Sequence, residues 1–171
     1  MEENDAVASR GVAENVTWSG AEAYLEGDLR LLVLDQEVEG IEPIVINSNP
    51  NVPHEANSKE DAESTRNLIA LGWGSTESAV RSYWLKEIKL SALTAEACSQ
   101  QSESKMIAEK DEICTAVWGS NKEGPFQGDS GGPLVAILNG QSTLIGIAST
   151  AGTTEGRTEY GSNFLLLGIQ S

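Results

Sequence analysis

Aliphatic residues recur along this chain in short bursts, each bounded by glycine, proline, asparagine or charged residues, which is the rhythm of many short strands joined by turns. Asp28 to Asp35 is an aliphatic strand entered from Gly27 and an acid, and Ile41 to Ile46 is a second apolar run. Asn47 to Pro53, with an Asn-Pro pair and a second proline, reads as a connection across the surface. The stretch Glu55 to Glu63, four acids against one base, reads as a solvated loop. Leu68 to Gly74 is a strand ending in a Gly72-Trp73-Gly74 turn, and Ser82 to Leu90 mixes apolar and charged residues in a strand-like way. Ser91 to Gln101, without glycine or proline and rich in Ala, Glu, Gln and Ser, is the best helix candidate, with Ser91 or Thr94 as its cap. Ile113 to Trp118 is strand-like, and an irregular loop follows from Gly119 to Gly128. Leu134 to Leu138, Asn139-Gly140 and Thr143 to Ser149 form the clearest hairpin signal, and Gly161 to Leu167 supplies a last strand. Trp73, Trp84 and Trp118 are expected in the core, because an indole buries much apolar surface.

At 171 residues and 39% hydrophobic content the chain falls in the one-domain range, and its 17 glycines reinforce an all-β class. The net charge of −15 argues against nucleic acid and against anionic membrane surfaces, since both are bound through clustered Lys and Arg. No run approaches the roughly 20 apolar residues of a membrane span. Met1 to Arg10 is acidic and polar, without the basic and apolar regions of a secretory signal. No His/Cys group has metal-ligand spacing, and Gly152 to Gly156 lacks the lysine and strand-to-helix setting of a phosphate cradle, so neither metal nor cofactor is expected. Two cysteines, Cys98 and Cys114, do not by themselves establish an oxidising compartment. Asn15-Val16-Thr17 fits the N-glycosylation acceptor pattern.

The chemistry concentrates in Gly128-Asp129-Ser130-Gly131-Gly132-Pro133. Glycines on both sides of a serine let the backbone turn sharply and approach a substrate, and they free N–H groups to face a developing oxyanion. This run resembles the active-serine segment of the chymotrypsin/trypsin family, and three other segments match that family in its own order. Gly27-Asp28 with the strand after it looks like the strand carrying the triad aspartate, Gly72-Trp73-Gly74 resembles the turn that begins the second barrel, and Ile147-Ala148-Ser149 resembles the substrate-binding strand.

The resemblance implies an antiparallel Greek-key fold: the end of a first barrel and a connection over about residues 11–67, then the second barrel over about 68–171, with one short intermediate helix. It implies serine-type endopeptidase chemistry on protein or peptide substrates, an extracellular setting and a Cys98–Cys114 bridge. Ser130 would be the nucleophile, Asp28 the carboxylate orienting a histidine, and the N–H groups of Gly128 and Ser130 the oxyanion hole. Gly124 would form the bottom of the specificity pocket, with Ala151 and Gly161 on its walls, which favours small to medium apolar side chains over Lys or Arg. Leu68 and Ala136 stand where a family disulfide would link the barrel, and Phe126 replaces another family cysteine, so packing is expected to substitute for both bridges.

The family's histidine base, carried upstream of the aspartate in an Ala-Ala-His-Cys segment, has no counterpart here. His54 is the chain's one histidine, and in its proline-flanked loop it reads as solvated. The family's activated enzymes also pair the acid before the nucleophile, here Asp129, with a freed N-terminal ammonium. Without a cation Asp129 is expected to stay solvated or to find another partner, since burying an isolated carboxylate is costly. The chain is therefore expected to be a truncated portion of a peptidase, inactive alone, with the absent first-barrel segment as its partner. The competing reading is a catalytically dead, protease-like binding protein.

Overall fold

The computed structural model describes residues 9–17, 29–49, 51–65, 67–76, 78–101, 112–117, 124–153 and 160–166. The chain divides into two compact units, Met1–Pro43 and Ile44–Ser171.

In the first unit β1 (Val12–Thr17) pairs antiparallel with β2 (Arg30–Leu34), matching Asn15 with Leu32 and Val16 with Leu31. An irregularity between Val12 and Glu14 shifts the register. Beyond the strand ends, Asp35 N donates to Gly11 O at 2.9 Å and Gly11 N to Asp35 Oδ1 at 3.0 Å. β2 forms where its aliphatic run directs, β1 is a strand not assigned from sequence, and every residue of the pair is exposed.

The second unit opens with the short strands β3 (Val45–Ile46) and β4 (Glu55–Ala56), followed by α1 (Lys59–Ser64). Six strands then build a barrel: β5 (Leu68–Gly72), β6 (Lys86–Leu93), β7 (Glu112–Val117), β8 (Pro133–Leu138), β9 (Gln141–Thr153) and β10 (Tyr160–Leu166), with α2 (Ala95–Gln101) between β6 and β7. The hydrogen-bonded order runs β10, β7, β6, β5, β8, β9, and β9 pairs with β10 to close the circle. Every pairing within that circle is antiparallel, and β7 and β8, consecutive in the chain, are separated in the circle by β6 and β5, as a Greek key requires. β3 and β4 add parallel to β9 and β6.

Closure decides burial. Leu68, Ala70, Leu90, Ala92, Ile113, Leu134, Ala136, Ile145 and Phe164 meet in one buried interior. Because successive strand side chains face opposite ways, the intervening residues of β6 and β7 point outward and meet a second buried group: Ala56, Ala62, Leu93, Ala97, Cys98 and Cys114, under the two helices. Ser91 is fully buried and donates its hydroxyl to Ala62 O, tying β6 to α1. The Cys98–Cys114 disulfide fastens α2 to β7. The hairpin forms as the sequence indicates, with Asn139 at φ 51° and Gly140 at φ 81°, the two positive values that a two-residue turn needs to follow strand twist.

Five sequence expectations change. Of the strand-like run Ser82 to Leu90 only Lys86 onward is strand, in β6, and residues 82–85 are irregular. Residues 55–63 are not a solvated loop. Ser58 Oγ accepts from Asp61 N at 3.2 Å and Asp61 Oδ2 accepts from Asn57 N at 3.2 Å, a cap that starts α1 and turns Ala62 into the core. Trp73 and Trp84 are 55% and 78% exposed, because they sit in the irregular passage between β5 and β6 where no opposing layer covers them; Trp118 lies outside the described residues. Ser91 belongs to β6, so α2 starts after Thr94, whose hydroxyl accepts from Ala97 N at 3.3 Å. Of the run Ile41 to Ile46 only Val45 and Ile46 form strand, while Asn47 is buried. The Asn47 amide donates to Asn49 O and Val52 O and accepts from Asn49 N, so the following connection turns upon its own side chain.

Candidate active site

Pro133 opens β8, and the serine turn feeds directly into it. The preceding backbone folds on itself: Asp129 N donates to Phe126 O at 3.0 Å, and Phe126 N donates to Asp129 Oδ2 at 3.0 Å. The other carboxylate oxygen, Oδ1, accepts from Gly74 N at 2.7 Å. Asp129 thus takes two backbone amides as partners, and hydrogen bonds to a charged acceptor are the stronger kind.

Gly72 and Gly74 make this possible. A Cβ on Gly74 would lie 2.5 Å from the Asp129 carboxyl carbon, and one on Gly72 would be driven into Oδ1, so both positions exclude side chains while Trp73 between them points outward. Read from sequence, Gly72-Trp73-Gly74 was only a turn, and its function as the acid's receptacle became visible through contacts 55 residues apart. The glycine spacing was the available signal, because two glycines around one tryptophan leave a backbone ribbon that another segment can approach.

The clamp continues on both flanks. Gln127 O accepts from Ser75 N at 2.8 Å and from Ser75 Oγ at 3.1 Å. Beyond the serine, Gly131 N donates to Ala148 O at 2.8 Å, Ala148 N to Gly132 O at 2.9 Å and Gly132 N to Asp129 O at 2.9 Å. The turn is therefore held between the segment after β5 and the middle of β9.

Inside this frame Ser130 is exposed. Gly128 has φ +97°, a conformation side chains resist, and its α-carbon packs so closely that a Cβ would sit 3.2 Å from Gly74 Cα. Among the described residues, the N–H groups of Gly128 and Ser130 and the Ser130 hydroxyl have no hydrogen-bond partner. A hydroxyl with two uncommitted amides beside it is the arrangement that acyl-transfer chemistry needs.

The other expected site residues are dispersed. Gly124 is half-buried in front of a buried Pro125. Ala151 on β9 pairs with Ser162, and Gly161 on β10 pairs with Gly152, so the two lie on neighbouring strands. Asn15 is exposed on β1. Asp28 lies outside the described residues. His54 is exposed next to a cis Val52–Pro53 bond, and its neighbour Glu55 has a carboxyl pushed up by burial, with His54 partly opposing the shift. No group of three or more His, Cys, Asp or Glu suited to a metal occurs among the described residues.

Where packing was expected to replace two bridges, the outcomes differ. Leu68 and Ala136 are direct cross-strand partners between β5 and β8, both buried, so apolar contact occupies that place. Phe126 is 45% exposed and packs into no core.

A closed antiparallel Greek-key barrel carrying a glycine-bracketed, exposed serine at the mouth of a strand defines a class of serine peptidases. The chain belongs to the trypsin family, whose sequence profile, Trypsin, matches residues 2–164. It is similar to a CLIP domain-containing serine protease B14 from Anopheles gambiae, at 35% identity over 134 residues, covering 71% of this chain. The chain spans 34% of that relative's length.

Proposed function

We propose that this chain is the nucleophile-bearing part of a serine endopeptidase, with Ser130 as the attacking residue. One observation carries the reading: Ser130 is exposed beside two uncommitted amides, on a turn pinned from both sides. In the reaction Ser130 Oγ attacks the scissile carbonyl and passes its proton to an imidazole, while the Gly128 and Ser130 amides receive the oxyanion and Asp28 orients the imidazole. These residues supply no such imidazole. His54, the one histidine in the sequence, sits in an exposed loop, and none of the described contacts links it to the serine turn. Turnover therefore requires a histidine-bearing segment outside these residues, which we take to be the remainder of the first barrel over the end that residues 11–67 contribute. The chain alone is inactive, since a serine hydroxyl without a base is a poor nucleophile near neutral pH. Small side chains at Gly124, Ala151 and Gly161 suit small to medium apolar substrate residues, and protein or peptide is the substrate class. The Cys98–Cys114 bridge supports an extracellular or otherwise oxidising setting.

The test is covalent labelling of Ser130 with a fluorophosphonate. The 171 residues alone should not label, whereas co-expression with a histidine-bearing first-barrel segment should yield stoichiometric labelling that Ser130→Ala abolishes. Absence of labelling in the completed protein would favour a protease-like binding protein.

A further inference from the structure

Asn15-Val16-Thr17 is an acceptor pattern that the peptidase reading leaves unused, and no other asparagine in the sequence is followed by the required hydroxyl residue. We propose that Asn15 carries an N-linked glycan; the inference rests on the extracellular reading above.

The register of the β1–β2 pair shows why this position suits one. Directly opposed residues of an antiparallel pair share a face. Asn15 opposite Leu32 and Thr17 opposite Arg30 form one face, whereas Val16 opposite Leu31 and Glu14 opposite Val33 form the other. The acceptor amide and the threonine hydroxyl it depends on thus project together from the more polar side of the hairpin. The opposite side holds Val16, Leu31 and Val33. Asn15 and Thr17 are both exposed, and no described residue hydrogen-bonds to either side chain. A glycan there also shields Leu32, which is 56% exposed on the same face. The co-reactant is a lipid-linked oligosaccharyl pyrophosphate. Asn15 Nδ2 bonds to the anomeric carbon of the first sugar, the carbon–oxygen bond to the pyrophosphate breaks with its electron pair leaving on that oxygen, and Nδ2 gives up one proton.

The test directs the full chain into the secretory pathway of cultured cells behind a cleavable leader and reads the mass of both the luminal and the secreted protein. The expected result is one oligosaccharide, released by peptide N-glycosidase with conversion of residue 15 to aspartate. Asn15→Gln and Thr17→Ala should each yield the bare polypeptide, and Thr17→Ser, which keeps the pattern, should keep the glycan. A bare wild-type chain whose Cys98–Cys114 bridge has formed would overturn the glycan and leave the extracellular reading standing. A glycosylated chain with free thiols would do the reverse.

Discussion

The barrel of β5 to β10 and the β1–β2 hairpin are written in the same alphabet and end in opposite environments. Leu68, Leu90, Leu134 and Phe164 are essentially sealed from water, whereas Leu31, Leu32, Val33 and Leu34 all stay exposed in a strand that is an unbroken aliphatic run, as Leu134 to Leu138 of the barrel's β8 is. The difference lies in closure. Six strands bonded in a circle enclose a volume that inward side chains fill. A two-stranded ribbon has two faces and nothing enclosed, and isolated hairpins are marginal in water for that reason. An aliphatic run therefore reports strand formation in both units, and burial in only one of them.

The strongest way to break this comparison is to truncate one side chain from each region. Phe164→Ala should cost about 3 to 5 kcal/mol of unfolding free energy because it empties a sealed interior. Leu32→Ala should stay within about 0.5 kcal/mol, as exposed substitutions do. Equal shifts of the urea midpoint would show that the hairpin is as deeply packed as the barrel. Next in size is the bridge beneath the helices. Replacing Cys98 and Cys114 together by alanine should cost roughly 3 kcal/mol, the chain-entropy contribution of a loop this long. Hydrogen exchange should quicken in α2 and β7 and leave β1 and β2 unchanged.

A smaller effect sharpens the contrast between the pinned serine turn and the exposed loop beside it. Asp129→Asn turns one acceptor into a donor facing an N–H group and should cost about 1 to 3 kcal/mol, with faster exchange of the Gly74 and Phe126 amides. Gly72→Ala should fall in the same range of about 1 to 3 kcal/mol, since its methyl meets the carboxylate. Unchanged exchange in both variants would remove the clamp from the account of the site. Trp84→Ala in the neighbouring loop should leave these amides untouched.

The smallest expected effect concerns Glu55, at the margin between buried and wet. Burial raises its carboxyl above the unfolded value, so the stability it contributes is complete below the unfolded pKa and is lost as pH rises through the folded one. Glu55→Gln should flatten that slope over the weakly acidic range. A pH–stability curve identical to wild type would show that the side chain is fully solvated.

Much of this fold is legible in the sequence. The strands at 30–34, 68–72, 112–117, 133–138 and 160–166 lie within or beside the runs that sequence assigned to them, and the Asn139-Gly140 turn declared its hairpin. The errors share one cause. Residues 55–63 looked solvated because acids dominate a count that two buried alanines barely affect. Trp73 and Trp84 looked internal because indoles usually are, yet one faces away from a ribbon packed on Asp129 and the other sits in an uncovered loop. At the site, Ser130 and its glycines announced themselves. The partners of Asp129 did not, because Gly74 lies 55 residues away and contributes only its backbone.

By itself, then, the sequence determined what depends on residues near in the chain: the strand runs, the turns, the glycine-bracketed serine, the cysteine pair and the glycosylation pattern. Tertiary structure alone decided what depends on distant segments meeting, namely which aliphatic residues leave water, which strands close the barrel, and that two backbone amides occupy the carboxylate beside Ser130. Side-chain identity records local conformational preference, whereas burial and backbone partnership are properties of the assembled surface and appear only once the strands close.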